Sequence, residues 1–342
     1  AGASYDAALG RDEGDVQAWR EKGLALADLK RYETAVKAFD AVLALLPRDL
    51  AALEGRKKSL LALQRWEPAI GACDALLAAE PGHLETLLDR GTVLVKLDRK
   101  AEGVDALDAF LRKMPQDLAA LRAKADLVKD LARWPELNQA SDAVLRMERK
   151  DARAWKDKGL ALRMMGDAEH GLKAYEAALA VDVDDLEALR GKRDCLKAVG
   201  TPKLVARVTR EILHLDAKDL SSWLDHAAAL ESLGEWTESL AAYDRAVQLA
   251  PGDALAWHRR GDVQLRLAHF DDAVASYRQA IRANPGDADA WYGLGTGLGR
   301  IGKYGDAVAA YESCLGLAPE DKRAWFGKGL ALEGAKRYDE AV

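Results

Sequence analysis

Cysteine is scarce: Cys73, Cys195 and Cys314 are the only three in 342 residues. An odd number with no short spacing argues against a disulfide framework or a zinc site. A reducing interior is the simpler setting, and a cytoplasmic location is expected. Long apolar runs are also missing. The longest, Ala41 to Leu46, is about six residues, far short of the ~20 that span a bilayer. No secretory signal opens the chain. The missing initiator Met and the opening Ala1-Gly2-Ala3-Ser4 suggest a fragment or a processed chain. There is no excess of basic charge: the net charge is −6 and the isoelectric point about 5.7. A nucleic-acid binder normally carries a basic footprint, so neither nucleic acid nor membrane is expected as a partner. Gly/Ser-rich and Pro-rich linkers are absent, and no domain boundary shows as a shift in composition. The phosphate-loop, nucleophile-elbow and HExxH zinc patterns are absent as well, and no enzymatic activity is expected.

What is present is enough to fold. Hydrophobic residues make up 49% and charged residues 31%, which disfavours disorder. One core rarely grows to 342 residues, so several domains or a repeat array must be expected. The stretch Val16 to Asp49 decides between them. Trp19, Gly23 and Leu26 fall at i, i+4 and i+7, on one face of a helix, and Ala35, Phe39 and Val42 repeat the spacing. Lys30-Arg31 breaks the two helices, Pro47 ends the second, and Asp49 is placed to cap the next. Such a hairpin cannot bury its apolar faces alone.

The pattern recurs every 34 residues. Trp19, Trp155, Trp223, Trp257, Trp291 and Trp325 mark the fourth position; Trp66, Trp134 and Trp236 all fall at the seventeenth. The eighth is small at Gly23, Gly91, Ala125, Gly159, Ala227, Gly261, Gly295 and Gly329. Glycine inside a helix costs roughly 0.5–1 kcal/mol against alanine, so close approach of two helices is the expected gain. The twenty-fourth position is aromatic in the best copies, including Tyr5, Phe39, Tyr175, Tyr243, Tyr277 and Tyr311. Aspartate precedes nearly every first helix, at Asp15, Asp49, Asp117, Asp151, Asp185, Asp219, Asp253, Asp287 and Asp321, with His83 in the remaining place. These carboxylates read as N-caps, each contributing about 1 kcal/mol, and not as catalytic acids.

Trp257, Gly261, Leu265, Ala273, Tyr277, Ala280 and Pro285 stand at the signature positions of the tetratricopeptide repeat, which this chain resembles along its whole length. The resemblance implies an all-α solenoid, a right-handed superhelix with first helices lining a concave side. It divides the chain into nine complete repeats, 16–49, 50–83, 84–117, 118–151, 152–185, 186–219, 220–253, 254–287 and 288–321, with partial repeats at 1–15 and 322–342. The copies are unequal. Arg149, Val183 and Ala217 replace the closing proline, and Lys57 and Arg193 replace the small eighth residue, each with a glycine two residues earlier. Those last two repeats lie 136 residues apart, as do AWREKGLAL and AWKDKGLAL, so a duplicated four-repeat block is inferred. Tyr5, Leu9, Trp325 and Leu332 are expected to lack covering neighbours, so that either a longer protein covers them or copies stack end to end.

Function is sought on the face that the resemblance makes concave. Between 118 and 219 it carries Arg122, Lys129, Arg153, Lys156, Arg163, Arg190 and Lys197, interleaved with Asp126, Asp130, Asp157, Glu187 and Asp194. One reading is a groove for an acidic or mixed-charge peptide held by bidentate guanidinium contacts. The other is a solvated face, since Arg122–Asp126 and Arg190–Asp194 have i, i+4 spacing. A second, less polar candidate joins Leu255, Tyr292, Phe326 and Leu330. GLGTGLGR at Gly293–Arg300 resembles a phosphate loop, but no strand precedes it, and helix-packing glycines are expected, loosening their helix. The six histidines occupy six different repeat positions without ligand spacing, and the cysteines read as inert and buried, so no metal or cofactor is expected. The inward asparagine ladders and Lys/Asn clamps of some relatives are absent. The expected role is a protein-interaction scaffold binding a peptide; the alternative is an assembly or targeting region of a larger protein whose catalysis lies elsewhere.

Overall fold

The computed structural model describes residues 2–341, with side chains from residue 5 onward. The chain forms two compact units, residues 1–167 and 168–342. In the first, α1 (Gly2–Leu9) is followed by the hairpins α2 (Val16–Asp28) with α3 (Tyr32–Leu45), and α4 (Leu50–Ala62) with α5 (Trp66–Ala79). Next come α6 (Leu84–Lys96) with α7 (Lys100–Leu111), α8 (Leu118–Asp130) with α9 (Trp134–Met147), and then α10 (Ala152–Met164). The second unit opens on α11 (Ala168–Leu179), then α12 (Leu186–Val199) with α13 (Pro202–Leu215), and α14 (Leu220–Leu233) with α15 (Trp236–Leu249). It continues through α16 (Ala254–Arg266) with α17 (Phe270–Ala283), α18 (Ala288–Arg300) with α19 (Tyr304–Leu317), and α20 (Lys322–Gly334) with the short α21 (Tyr338–Ala341). Among the described residues there is no strand; the fold is an all-α solenoid of stacked hairpins.

Each first helix starts where a local signal tells it to. Asp49 accepts the N–H of Ala52 at 2.9 Å, and Asp15, Asp117, Asp151, Asp185, Asp219, Asp253 and Asp287 make the equivalent bond three residues on. Asp321 takes the N–H of Arg323 instead, and His83 caps α6 through Nδ1 at 3.3 Å from the Thr86 N–H. Each fourth-position tryptophan donates its indole N–H to the carbonyl six residues earlier. This holds at 2.9 Å for Trp257 to Pro251 and equally for Trp155 to Arg149, so the loop keeps its shape where the proline is lost.

The core is built around the twenty-fourth-position aromatics. Phe39 is fully buried, and a Cβ added at Gly23 would lie 2.6 Å from its ring, one at Gly55 2.3 Å. The ring therefore wedges between a glycine of its own first helix and a glycine of the next. Tyr277 does the same between Gly261 and Gly293, and Tyr311 between Gly295 and Gly327. In α18 this accounts for Gly293 and Gly295, while Gly297 faces Val274 at 2.9 Å, and the helix runs unbroken from 288 to 300. The glycines of GLGTGLGR are packing glycines inside a helix, not a phosphate loop.

A second system ties neighbouring hairpins together. The seventh-position cation reaches back to the acid sixteen residues earlier. The pairs Lys22–Asp6, Arg56–Asp40, Arg90–Asp74, Lys124–Asp108 and Lys158–Asp142 form it in the first unit at 2.5–2.7 Å. In the second unit Lys192–Glu176, Arg260–Asp244 and Lys328–Glu312 form it at 3.3, 2.6 and 2.8 Å. Each pair is partly exposed and weak alone, worth about 0–1 kcal/mol; the repetition fixes register between repeats.

The expectation that the end residues lack cover is corrected for two of them. Leu9 and Leu332 are buried within their own units, packed on α2 and in the α18–α20 core, whereas Trp325 is 55% exposed. The end of every first helix needs a left-handed residue. Glycine supplies it at Gly166, Gly200, Gly234 and Gly302, but Lys30, Gln64, Asp98, Ala132, Ala268 and Lys336 sit at φ of 54–62° without being glycine. A left-handed L-residue with a Cβ costs about 1–2 kcal/mol. Ala268→Gly is therefore expected to raise stability by about 0.5–1 kcal/mol after the greater unfolded-state freedom of glycine is subtracted. A denaturant midpoint that falls would refute this.

Candidate functional site

Arg122, Lys129, Arg153, Arg190 and Lys197 are used between repeats, with Arg153 also 3.9 Å from Asp157 in its own helix. Arg122 bonds both Glu148 and Asp151 at 2.6 Å, and Arg190 bonds Asp219 at 2.7 Å and Asp216 at 3.0 Å. The expected pairs Arg122–Asp126 and Arg190–Asp194 do not form. Asp126 instead takes Arg153, and Asp194 takes Arg193. The reason is geometric: the fifth position of one first helix stands beside the N-cap of the next, 29 residues on. Burial raises the Asp151 carboxyl, but the Arg122 bond and the Ala154 N–H outweigh it and hold it below the usual carboxylate range. Lys129 meets Asp157 at 2.7 Å and Lys197 meets Asp225, again one repeat on. Lys156 and Arg163 sit half-buried on α10. Beside Arg122 and Arg153 the open space amounts to about 10 Å³.

Arg20–Asp49 and His258–Asp287, the latter at 2.8 Å, repeat the fifth-position pairing. In one repeat the charges are swapped: Glu54 holds the fifth position and His83 the cap. With Glu85 they place ligand atoms within 4.8 Å of one another. Sequence spacing hides this trio, because its members lie on successive repeats. Lys58, however, already occupies it, with Nζ 2.6 Å from Glu54 and 3.7 Å from Glu85, and Lys57 lies 3.8 Å from Glu85, so two ammonium groups already stand against the two carboxylates. The three cysteines are buried; burial raises Cys73 to about 11, so its thiol is inert.

Open space lies on the first-helix face of the second unit. Three adjoining cavities of about 560, 530 and 370 Å³ run over α14, α16, α18 and α20. Thr296 lines all three, and Tyr292 and Arg323 line the last two. The floor is held rigidly: Tyr277 donates to Asp262 at 2.7 Å, and Tyr292 lies tilted against Tyr311 with centroids 5.8 Å apart. Arg323 lies 4.9 Å over the Tyr292 ring and is bound to Asp289 and Asp321 at 2.7 Å. Leu255, Phe326 and Leu330 project with 59%, 72% and 52% of their surface exposed. At the deep end of the largest cavity, burial raises the Glu231 carboxyl although the Tyr243 hydroxyl donates to it.

Arg300 and Arg266 are the groove cations without an acid, and Arg266 lies 5.6 Å over the Trp236 ring, which leaves Arg300 as the one with neither acid nor ring among the described residues. Arg300 is exposed at the end of α18, lines two of the cavities, and among the described residues makes no ion pair and no side-chain hydrogen bond. The cavity shared with Tyr292, Phe326 and Leu330 contains no acidic residue. Its apolar residues were legible in the sequence; Arg300 was not, since only three dimensions show that no acid reaches it.

Family models described as tetratricopeptide repeat match residues 1–49, 57–128, 220–263, 258–296 and 295–342. The chain belongs to the tetratricopeptide repeat family. Comparison with curated proteins gives no match. Among solved structures, the chain is similar to YrrB, described as a TPR protein with an unusual peptide-binding site (20% identity, 58% of this chain and 99% of that one, TM-score 0.51). It is similar also to the C-terminal part of a TPR repeat-containing protein from Cytophaga hutchinsonii (17% identity, 69% and 97%, TM-score 0.55). A third likeness is to the structure of Naa15/Naa10 bound to HypK-THB (13% identity, 100% and 64%, TM-score 0.58). At these identities the likeness shows the fold alone. The fold is one of interaction scaffolds. Among the described residues no helix is long and apolar enough to cross a membrane.

Proposed function

We propose that the chain is a non-enzymatic interaction scaffold that holds a peptide segment of a partner protein across α16, α18 and α20. An apolar side chain of the peptide packs against Tyr292, Phe326 and Leu330, and a neighbouring carboxylate takes a bidentate bond from Arg300. The observation carrying this reading is the unpaired guanidinium between two cavities in a chain whose other first-helix arginines are nearly all paired. Aromatic and aliphatic residues with one convergent cation are what a peptide anchor site requires. YrrB, similar in fold, is described as having a peptide-binding site; here that only adds to the geometry. The cations of 118–219 would have to leave their inter-repeat carboxylates to serve a ligand, which costs more than binding at Arg300.

The test is a peptide array tiling Leu, Phe and Ile beside Asp and Glu, read with wild-type protein and with Arg300→Glu. The best wild-type binder is expected to weaken by about tenfold or more in the variant, as for loss of a charge-assisted hydrogen bond, with melting unchanged. Equal binding by the variant refutes the assignment of Arg300. No binder at all refutes the groove.

A further inference from the structure

The outward face of α13 is unlike that of any other second helix. At repeat positions 18, 22, 25 and 29 it carries Lys203, Arg207, Arg210 and His214. The same places hold Glu33, Lys37, Asp40 and Ala44 in α3, and Thr237, Ala241, Asp244 and Gln248 in α15. Elsewhere at least one of the four is acidic; on α13 none is. All four are exposed, and among the described residues none makes an ion pair or a side-chain hydrogen bond. Their spacing of i, i+4, i+7 and i+11 aligns them on one face. Lys218, exposed in the following loop, extends the row.

The row exists because a rung of the inter-repeat ladder is inverted. Elsewhere the twenty-fifth position is typically an acid bound to the next repeat's seventh-position cation. Here Arg210 stands there, and its counterpart is His226, a buried imidazole bonded to Thr209 at 2.9 Å. Burial, then Arg210, lower its affinity for a proton. The guanidinium has no counter-charge on that side and projects outward. Glu211 is the one exposed acid on the helix; it stands four residues after Arg207, on the edge of the row, and forms no ion pair among the described residues.

We propose that this face docks an acidic helix of a partner protein, with carboxylates at i, i+4, i+7 and i+11 meeting the four cations. Width decides against broader polyanions. The neighbouring second helices carry mixed charge, Glu169, Lys173 and Glu176 on α11 and Glu238, Asp244 and Arg245 on α15, with Glu176 and Asp244 already paired to Lys192 and Arg260, so the purely cationic strip is one helix wide. A nucleic-acid duplex or an anionic bilayer would press charge onto those flanks. Length agrees with a helix: the row from Lys203 to His214 spans about 16 Å at 1.5 Å per residue, and a helix bearing carboxylates at the same intervals matches it rung for rung. Leu204 and Leu215, 37% and 40% exposed, add apolar contact near the ends. The surface lies on second helices and is independent of the Arg300 groove.

The test uses the full chain and fluorescence anisotropy with four probes: an alanine-based helical peptide with Glu at i, i+4, i+7 and i+11; a peptide of the same composition with Glu spread around the helix; a DNA duplex; and phosphatidylserine vesicles. The patterned peptide is expected to bind best. Arg207→Glu with Arg210→Glu should weaken it by about tenfold or more, as charge reversal at a complementary interface does, while Arg300→Glu leaves it unchanged. Lys203→Gln with Arg207→Gln, which adds no new charge, should weaken it less but measurably. Equal binding of the two peptides, absence of binding, indifference to both double variants, or tighter binding of DNA or vesicles each overturns the proposal.

Discussion

Phe39→Ala is expected to destabilise the first unit by about 3–5 kcal/mol, the range for removing a fully buried aromatic. The cost should fall at the upper end. The ring fills the space between Gly23 and Gly55, and neither glycine has a side chain that can move into the cavity. Hydrogen exchange across α2–α4 and denaturant unfolding measure it; a loss below about 1.5 kcal/mol would show that the site collapses. Gly55→Ala makes the complementary case. Its Cβ would stand 2.3 Å from a ring with no room to retreat, so alone it destabilises, by about 1–3 kcal/mol as overpacking does. In the Phe39→Ala background the clash is gone, and alanine gains about 1 kcal/mol of helix propensity over glycine. The two substitutions must therefore be strongly non-additive, with Gly55→Ala changing sign. Additivity would mean that the ring and the glycine are not one packing unit.

That pair also marks the limit of what the sequence makes legible. The caps are readable because Asp49 bonds a group three residues away. The Trp, Gly and aromatic register is readable because periodicity reports it directly. What periodicity does not report is which neighbour a residue serves. The eighth-position glycine faces the ring of its own hairpin and the sixth-position glycine faces the ring of the hairpin before; the sequence presents both only as small residues. Arg122 and Arg190 have acids four residues along, yet they bond acids 26 and 29 residues away, because the stacked cap is nearer than the next turn of the same helix. The stretch 129–219, where closing prolines and consensus second-helix residues are lost, is also where no family model matches. There the architecture is kept by caps and by the tryptophan-to-carbonyl bonds of Trp155 and Trp223, whose signal is too local to define a family.

Asp89→Ala should cost about 3 kcal/mol or more, while Lys57→Met, at the other end of the same ion pair, should cost less than about 1.5 kcal/mol. Lys57 stands where most repeats have glycine or alanine, and it is fully buried. Its ammonium lies 2.6 Å from Asp89 and 3.2 Å from the Thr86 hydroxyl, both on the next repeat, with Glu85 at 3.8 Å. Removing Asp89 strands a cation with no access to water. Removing the lysine strands only a carboxylate that is 28% exposed and can be hydrated, and methionine refills the stem's volume. Thr86 then keeps its bond to His83 at 2.8 Å. A buried cation recurs at Arg193, which meets Asp225 at 3.1 Å and Ser222 at 3.0 Å, but there Asp194 bonds the guanidinium as well, at 2.9 Å. The Asp225→Ala loss should accordingly be smaller than that of Asp89→Ala, since Asp194 keeps Arg193 paired. The asymmetry at Lys57–Asp89 is the discriminating quantity, read from denaturant midpoints of the variants: a buried cation tolerated through its partner predicts it, and equal losses at the two ends of that pair would show that the ion pair is a surface contact despite its burial. Gly55 and Gly191 are sixth-position glycines in their own right, not displaced eighth-position ones. They receive the ring of the preceding hairpin, Phe39 or Tyr175, as Gly293 and Gly327 receive Tyr277 and Tyr311, and a Cβ there would come within 2.3 or 2.1 Å of the ring. The eighth position can hold a long cation because the twenty-fourth position of the same hairpin is Cys73 or Thr209 and presents no ring to it.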